Sequence, residues 1–456
     1  MLKYLILTIG CQMNKSDSER LAAVLKNIGF AQTEKEAEAN LIFVNACSVR
    51  QSAIDRIFGK KKRWNKRRET GDLKTFLLGC VLPKDRPKME KAFDNIFDIK
   101  DIVNLPEILK KSGVKLKQSE KDGQNKFVPD SDYFHIAPIS SSKVSAFVPI
   151  MRGCDHFCAY CAVPYAKGPE ISRPARDIAN EAKKYIEQGF KEITLLGQNV
   201  NSYGLIRPRW KMVDEKTKKI YPPESWILDP KSSKPPFAQL LEEIDKIPGK
   251  FWIRFITSHP MDMSLDLIKA VAAGEHITPY IHLPAQSGND EMLKKMNRQY
   301  TTEWYKKIIE NIRKYIPDAV ISTDIIVGFP DETKKQFRDT MDLFDFARYD
   351  IAYIAKYSPR PGTAATHYKD NVPMDEKKRR EKILTKKLSE IALARNQLLI
   401  NKEVEVLVES INGNIGFGHT REFRGVKFPY KGLIGKFIKV KITKANPWGL
   451  MGEAIY

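Results

Sequence analysis

No apolar run in this chain approaches the length needed to span a bilayer, which excludes a membrane protein built of helices. The opening stretch, Met1 to Cys11, mimics a lipoprotein signal ending in cysteine. Its apolar core is only about seven residues, at or below the lower limit for such a signal, so a buried first strand is the better reading. Acidic residues are the minority, 56 Asp and Glu against 77 Lys and Arg, and the net charge is +21. A surplus of that size points to a polyanionic partner, because neutralising phosphates releases counterions. Cysteine is scarce, 6 in 456 residues, and none is left over for packing. Each one sits at or just past the end of a strand-like run.

Three of the six stand as C-x3-C-x2-C at Cys154, Cys158 and Cys161, on one loop after the apolar run Val144 to Ile150. A cubane iron–sulfur cluster has four irons, and cysteine thiolate is its usual protein ligand. Three thiolates therefore leave one iron open to something that is not protein. The bland readings are a zinc knuckle, which wants four tetrahedral ligands and would have to recruit His156 or a distant residue, or buried structural thiols.

The other three cysteines end runs of their own: Cys11 after Tyr4 to Gly10, Cys47 after Leu41 to Ala46, Cys80 after Thr75 to Gly79. Helix-like stretches, among them Asp17–Ile28 and Ser52–Phe58, lie between these runs. Alternating strand and helix predicts a parallel α/β sheet, and ligands of such sheets bind at the carboxyl ends of the strands. Converging there, Cys11, Cys47 and Cys80 would hold a second cluster; the alternative is three small core residues. Thiolate clusters need reducing surroundings, which places the chain in the cytoplasm.

From about residue 144 to 358 six strand-like runs alternate with helical patterns, the expected signature of an open, partial (β/α)6 barrel with its chemistry at the carboxyl ends of the strands. Gln198 and Asn199, Ser258, Gln286 and Asp324 fall at or near those ends; any one alone is an ordinary cap or turn residue, and only the shared rim singles them out. Tyr160 sits beside Cys161, the last cysteine of its loop. Leu205 to Pro236 is rich in proline and lysine without periodicity and reads as a surface insertion. A helical connector leads to five short strands between Glu403 and Tyr456, expected to form a small closed β-barrel of the kind that binds nucleic acid. The basic candidates for RNA contact are Lys61, Arg63 and Arg67, in a run that contains Trp64, with Arg421, Arg424 and Lys427 in the terminal barrel. A solvated helix face and a purely structural barrel are the plain alternatives.

Taken together these segments resemble the radical S-adenosylmethionine (radical SAM) methylthiotransferase family. Gly10 to Asn14 with Asp17, Asn45 to Arg50, and Gly79-Cys80 are similar to its three amino-terminal signatures. Cys154 to Cys161 with Val163 to Tyr165, Leu195 to Tyr203, His282 to Gly288, Met296 to Arg298, Asp324 to Pro330 and Tyr357 to Thr363 continue the match, and the last unit resembles a TRAM domain. The departures are Lys167 where arginine is common, Ala46 where threonine is common, and the long Leu205–Pro236 segment. The resemblance implies an amino-terminal domain over 1–118, a radical SAM core over 140–372, a connector over 373–399 and a TRAM domain over 400–456. It implies two [4Fe-4S] clusters, one on Cys11, Cys47 and Cys80 and one on Cys154, Cys158 and Cys161, with S-adenosylmethionine as radical source and as methyl donor and with Tyr160 either a wall of its adenine pocket or ordinary loop packing. The implied substrate is N6-dimethylallyladenosine in a tRNA anticodon stem-loop. The sister classes act on threonylcarbamoyl-adenosine or a ribosomal-protein aspartate. An electron donor such as flavodoxin or ferredoxin, a monomeric state and no membrane complete the expectation. A non-catalytic RNA-binding protein holding structural metal is the rival from another class; it accounts for the charge but not for two three-ligand sites.

Overall fold

A computed structural model describes residues 1–47, 51–116, 133–205 and 232–455; the side chains of residues 51–54, 61 and 62 are not described. Ser48, Val49 and Arg50 of the second signature, most of the Leu205–Pro236 segment and the side chain of Lys61 lie outside the described residues. The chain divides into two compact units.

The first unit comprises Met1–Ser141 together with Cys161–Gly168 and Arg360–Gly362. Strands β1 (Lys3–Ile9), β2 (Ala31–Gln32), β3 (Leu41–Cys47), β4 (Lys74–Cys80) and β5 (Asn95–Ile96) form a parallel sheet of order β2-β1-β3-β4-β5. Their near-continuous apolar runs suit a sheet covered on both faces, and Phe43 stacks on Phe76 across β3 and β4, with ring centroids 4.7 Å apart. The helices are α1 (Gln12–Asn27), α2 (Gln51–Glu69), α3 (Arg86–Glu90), α4 (Leu105–Lys111) and, from further along, α5 (Val163–Lys167). Helix α2 does not stop near Phe58 as its apolar pattern suggests. Its lysines and arginines are good helix formers, and Trp64 buries one face of the extra turns, as Ile57 does before them.

The second unit holds the rest. Strands β6 (Ser145–Pro149), β9 (Glu192–Leu196) and β10 (Trp252–Ile256) form one parallel sheet, and β11 (Tyr280–His282), β12 (Val320–Val327) and β13 (Ile351–Lys356) another. A bridge from Ile253 to Ile277 and the bond from Ser258 N to His282 O link β10 to β11. Six parallel strands thus follow chain order around an open barrel, as the alternating pattern predicts. The hairpin β7 (Met151–Arg152) with β8 (Ile171–Ser172) stands beyond β6. Crossover helices α6 (Ala175–Glu187), α7 (Pro236–Asp245), α8 (Leu265–Ala273), α9 (Asp290–Lys295), α10 (Thr302–Tyr315) and α11 (Lys334–Ala347) cover the outside, and α12 (Met374–Gln397) packs on β13.

Strands β14 (Glu403–Asn412), β15 (Ile415–Thr420), β16 (Gly425–Pro429), β17 (Phe437–Asn446) and β18 (Gly449–Ile455) close into a barrel of order β14-β15-β16-β18-β17. Alternation along each strand puts Val406, Val408, Val426, Phe428, Val440 and Ile442 inside. No described helix is long and apolar enough to cross a membrane.

Candidate cluster sites and RNA face

In the first unit, Cys47 and Cys80 are the last residues of neighbouring strands and are Cα partners in register. Cys11 follows β1 by two residues and opens α1, an end that favours bound negative charge. The turns are built for close approach. A Cβ on Gly79, whose φ is +101°, would lie 2.4 Å from the carbonyl oxygen of Ala46. Asn14 Oδ1 accepts from Cys11 N at 3.2 Å and Cys11 Sγ at 3.3 Å, while Asn14 Nδ2 donates to Asn45 Oδ1 at 2.9 Å. Asn45 Nδ2 in turn donates to the Asn14 carbonyl at 2.7 Å, so the signatures around Cys11 and Cys47 are stitched together. A hydrogen bond with Cys47, and then burial, push the Cys80 thiol well above its ordinary value. A metal centre offers such thiols a way to lose their protons, and an all-sulfur donor set suits an iron–sulfur centre or another thiophilic metal. The three residues therefore fit a cluster by donor chemistry and by convergence on one sheet edge. The long apolar runs that end in cysteine are the signal that found them.

In the second unit, Gly153 (φ +81°) and Phe157 (φ +45°) bend the chain around Cys154 and Cys158. Behind Cys158, the Met296 to Arg298 turn closes the wall: Arg298 Nη1 donates to Cys158 Sγ at 3.5 Å and its Nη2 to the Pro284 carbonyl at 2.6 Å. Ala159 N donates to the Met296 carbonyl at 2.8 Å, and Asn297 Nδ2 to the Phe157 carbonyl at 2.9 Å. His156 is clamped on its other side. Its Nε2 lies 3.0 Å from Asp262 Oδ2, which also accepts from Asn199 Nδ2 at 2.6 Å, and its ring stacks on His259 at 3.7 Å. These side-chain atoms of His156, His259 and Asp262 lie within 4.8 Å of one another. The carboxylate oxygen is already engaged by two hydrogen-bond partners, so the group reads as a clamp on the cysteine loop. Arg298 and Asp262 are site residues that spacing alone does not reveal; Arg298 lies within a quoted family motif, and Asp262 carries no signal of its own.

The rim residues fall where the strand ends were expected. Gln198 and Asn199 follow β9, Ser258 follows β10, and Gln286 pairs by backbone with Asp324 and Ile326 on β12. Gln198 Oε1, Asn199 Oδ1, Asn201 Oδ1 and Ser258 Oγ are buried without a hydrogen-bond partner among the described residues. Unsatisfied buried polar atoms are costly, and a cluster of four at one rim fits a polar ligand such as S-adenosylmethionine. Asp324 keeps 38 % of its side chain exposed, with His282 Nε2 at 3.5 Å. Tyr160 packs against the Met292, Met296, Phe329 and Tyr357 patch. From α12, Lys377 binds both carboxylate oxygens of Asp370, and Arg380 binds Glu332, whose other contact is Gly328 N. That pair locks the loop after β12 and is unavailable to RNA.

The basic residues sort differently from their sequence pattern. Trp64 is buried, donates to Glu36 Oε1 at 2.9 Å and meets Phe93 edge-on, so it is no stacking platform. Arg67 spends its guanidinium on the carbonyls of Glu36 and Ala39, while Arg63 stays exposed. Arg421 donates to the carbonyls of Gly274, Glu275 and Ile277, and Arg424 binds Asp350 and Asn396. Both hold the terminal barrel on the core instead of facing outward, because a rigid five-donor fork is well matched to converging buried oxygens. Lys427 is exposed, with its ammonium 5.5 Å from the Phe417 ring. Phe417, Lys427, Met451 and Lys444 are successive register partners on β15, β16, β18 and β17, all outside the barrel. Cation and aromatic side by side suit backbone contact with base stacking.

Residues 148–344 match the Radical SAM superfamily, residues 3–103 the uncharacterized protein family UPF0004, and residues 397–455 the TRAM domain. A tRNA-2-methylthio-N(6)-dimethylallyladenosine synthase of Clostridium botulinum (strain Alaska E43 / Type E3) is 39% identical over 466 residues, covering 99% of this chain and 95% of that protein. The chain belongs to this synthase family. A further member, from Dictyoglomus thermophilum, is 38% identical over 470 residues, covering 100% of this chain and 99% of that one. Among solved structures, the radical S-adenosylmethionine methyltransferase TsrM of Kitasatospora setae, with cobalamin and a [4Fe-4S] cluster bound, shares the fold. Its TM-score is 0.54 at 13% identity, with 80% of this chain and 77% of that one covered.

Proposed function

We propose that this chain is a radical SAM methylthiotransferase that converts N6-dimethylallyladenosine, on the 3′ side of the anticodon in tRNA, to its 2-methylthio derivative. The observation that carries the reading is the end-to-end likeness to synthases of that name, over 99% of the chain. In this reading Cys154, Cys158 and Cys161 hold one [4Fe-4S] cluster and Cys11, Cys47 and Cys80 a second, each with one iron free of protein. Once bound, the clusters with S-adenosylmethionine supply a radical able to take hydrogen from an adenine carbon, and a methylated sulfur to replace it.

The chain's own residues position these groups. Arg298 and the His156–Asp262 clamp fix the cysteine loop from two sides. Gln198, Asn199 and Ser258, helped by Asn201, offer their unpaired atoms to the polar groups of S-adenosylmethionine, with Tyr160 as a wall and Gln286 and Asp324 further along the rim. Lys427 and Phe417 grip the RNA, and Arg63 is a second cation for it. An electron donor of the flavodoxin or ferredoxin type, a monomeric state, a cytoplasmic site and the division at 1–118, 140–372, 373–399 and 400–456 belong to the same proposal.

The substrate is accessible in a single-stranded loop, where splaying a base costs less than extruding it from a duplex. The prenyl group adds apolar surface worth roughly 0.8 kcal/mol per buried methylene. The test is an anaerobic assay of the reduced enzyme on three anticodon stem-loops bearing dimethylallyl-adenosine, threonylcarbamoyl-adenosine or plain adenosine. Methylthio product is expected on the first only. Product on the second instead moves the chain to the sister class, and product on none overturns the RNA reading.

A further inference from the structure

The compact unit that contains Cys11, Cys47 and Cys80 also includes two short pieces of chain from far downstream, Cys161–Gly168 and Arg360–Gly362. Each delivers one cation. Lys167 ends α5, which packs on β4, the strand that closes with Cys80. Only 12% of the Lys167 side chain is exposed, and its nearest carboxylate, Asp17, lies 4.0 Å away. Asp17 is fully buried, and neither of its carboxylate oxygens has a hydrogen-bond partner among the described residues. Arg360 is 8% exposed and interacts electrostatically with Asp85, Cys47 and Asp55.

Burying an ammonium costs several kcal/mol unless a close counter-charge compensates it. One carboxylate at the limit of ion-pair distance is weak compensation for a side chain this buried. Cysteines that bind a metal do so as thiolates, so the triad at the end of the strand that α5 packs against is the further negative charge available to this ammonium. Lys167 interacts electrostatically with Cys80 and Cys11, and Arg360 with Cys47, so each cysteine of the triad is coupled to a buried cation.

We propose that Lys167 and Arg360 are positioning residues that hold the negative charge of the centre on Cys11, Cys47 and Cys80 and set its reduction potential. The proposal rests on the reading of those cysteines as ligands of an iron–sulfur cluster. Cluster potentials follow net charge and local hydrogen bonding. A cation beside the ligands favours the more negative, reduced form, and its removal must shift the potential downward. Sequence alone conceals the role, because Lys167 lies 87 positions after Cys80 and reads as the tail of the other cysteine loop.

The experiment uses the full chain with Cys154, Cys158 and Cys161 replaced by alanine, so that only the amino-terminal centre can load. Iron content and the midpoint potential, followed by electron paramagnetic resonance in a redox titration, are read for the parent, Lys167→Met, Lys167→Arg and Arg360→Gln. Lys167→Met should keep its iron and titrate at a more negative potential, Lys167→Arg should stay at the parent value, and Arg360→Gln should shift the same way as Lys167→Met. Full iron with an unmoved potential in both Lys167→Met and Arg360→Gln overturns the proposal and leaves the ligand assignment standing. A parent that binds no iron overturns the ligand assignment, and the proposal with it. Should Lys167→Met fail to fold, the Arg360→Gln potential decides.

Discussion

A single glutamate shows how residue-level chemistry organises the second unit. Glu192 Oε2 accepts from Arg254 Nε at 3.0 Å and Nη2 at 2.7 Å, and lies 2.8 Å from His419 Nε2 of the terminal barrel. All three are buried. Burial alone would raise the Glu192 carboxyl from its ordinary 4.5, but Arg254 and then His419 bring it to about 2. At about 1.4 kcal/mol per unit, that shift contributes on the order of 3 kcal/mol. The contribution is present above pH 4.5 and is lost as pH falls towards 2. Burial would lower His419, yet Glu192 and Glu409 carry it above its ordinary 6.5, so its contribution is complete below that pH and fades as pH rises through the raised value. Thermal unfolding measured against pH should therefore show a plateau falling away on both sides, and His419→Gln should remove the alkaline fall while keeping the acid one. An unchanged alkaline limb in His419→Gln would disprove the assignment. Glu192→Gln should cost about 3–5 kcal/mol, the usual penalty for leaving a buried cation unpaired.

At the scale of elements, helix α2 is a structural strut. Three of its basic residues are spent on the loop after β2 and on Asp94: Lys60 on Glu36, Arg67 on two carbonyls, Arg68 on Asp94 at 3.0 Å. Trp64 fills the space between α2 and the segment around Phe93. Trp64→Ala should then lower stability by about 3–5 kcal/mol in a denaturant titration, the usual cost of emptying an aromatic site. The salt dependence of tRNA binding should stay as it was. Weakened RNA binding with native stability would instead return Trp64 to the stacking role that its neighbours in sequence suggest.

At the scale of the whole molecule, the terminal barrel cannot be cut away cleanly. Removing residues from 400 onward strips His419 from Glu192 and Arg424 from Asp350 and leaves those buried carboxylates short of partners. Truncation therefore mixes lost stability with lost RNA contacts, and the outer strip is the cleaner probe. Lys427→Ala should lower tRNA affinity and reduce the slope of log affinity against log salt by about 1, with little change in thermal stability. Phe417→Ala should weaken binding without changing the slope, because stacking carries no counterion release. Unchanged affinity in both variants would move the RNA contact to exposed positions such as Arg63.

The order of elements and the placing of Cys11, Cys47 and Cys80 at one sheet edge were legible without coordinates, for a physical reason. Apolar runs ending in cysteine mark parallel strands and their carboxyl edge at once, since local periodicity carries both signals. The six β/α units and the closed terminal barrel follow from the same alternation. Charge was the part that only tertiary structure could decide. Arg67, Arg421 and Arg424 read as RNA contacts because a sequence shows how many cations there are and not which carbonyls converge on them. Arg298 and Asp262 were equally invisible as site residues, because their partners, Cys158 and His156, lie 140 and 106 positions away. Local pattern sets which elements form. Long-range geometry decides which of their side chains remain free to act.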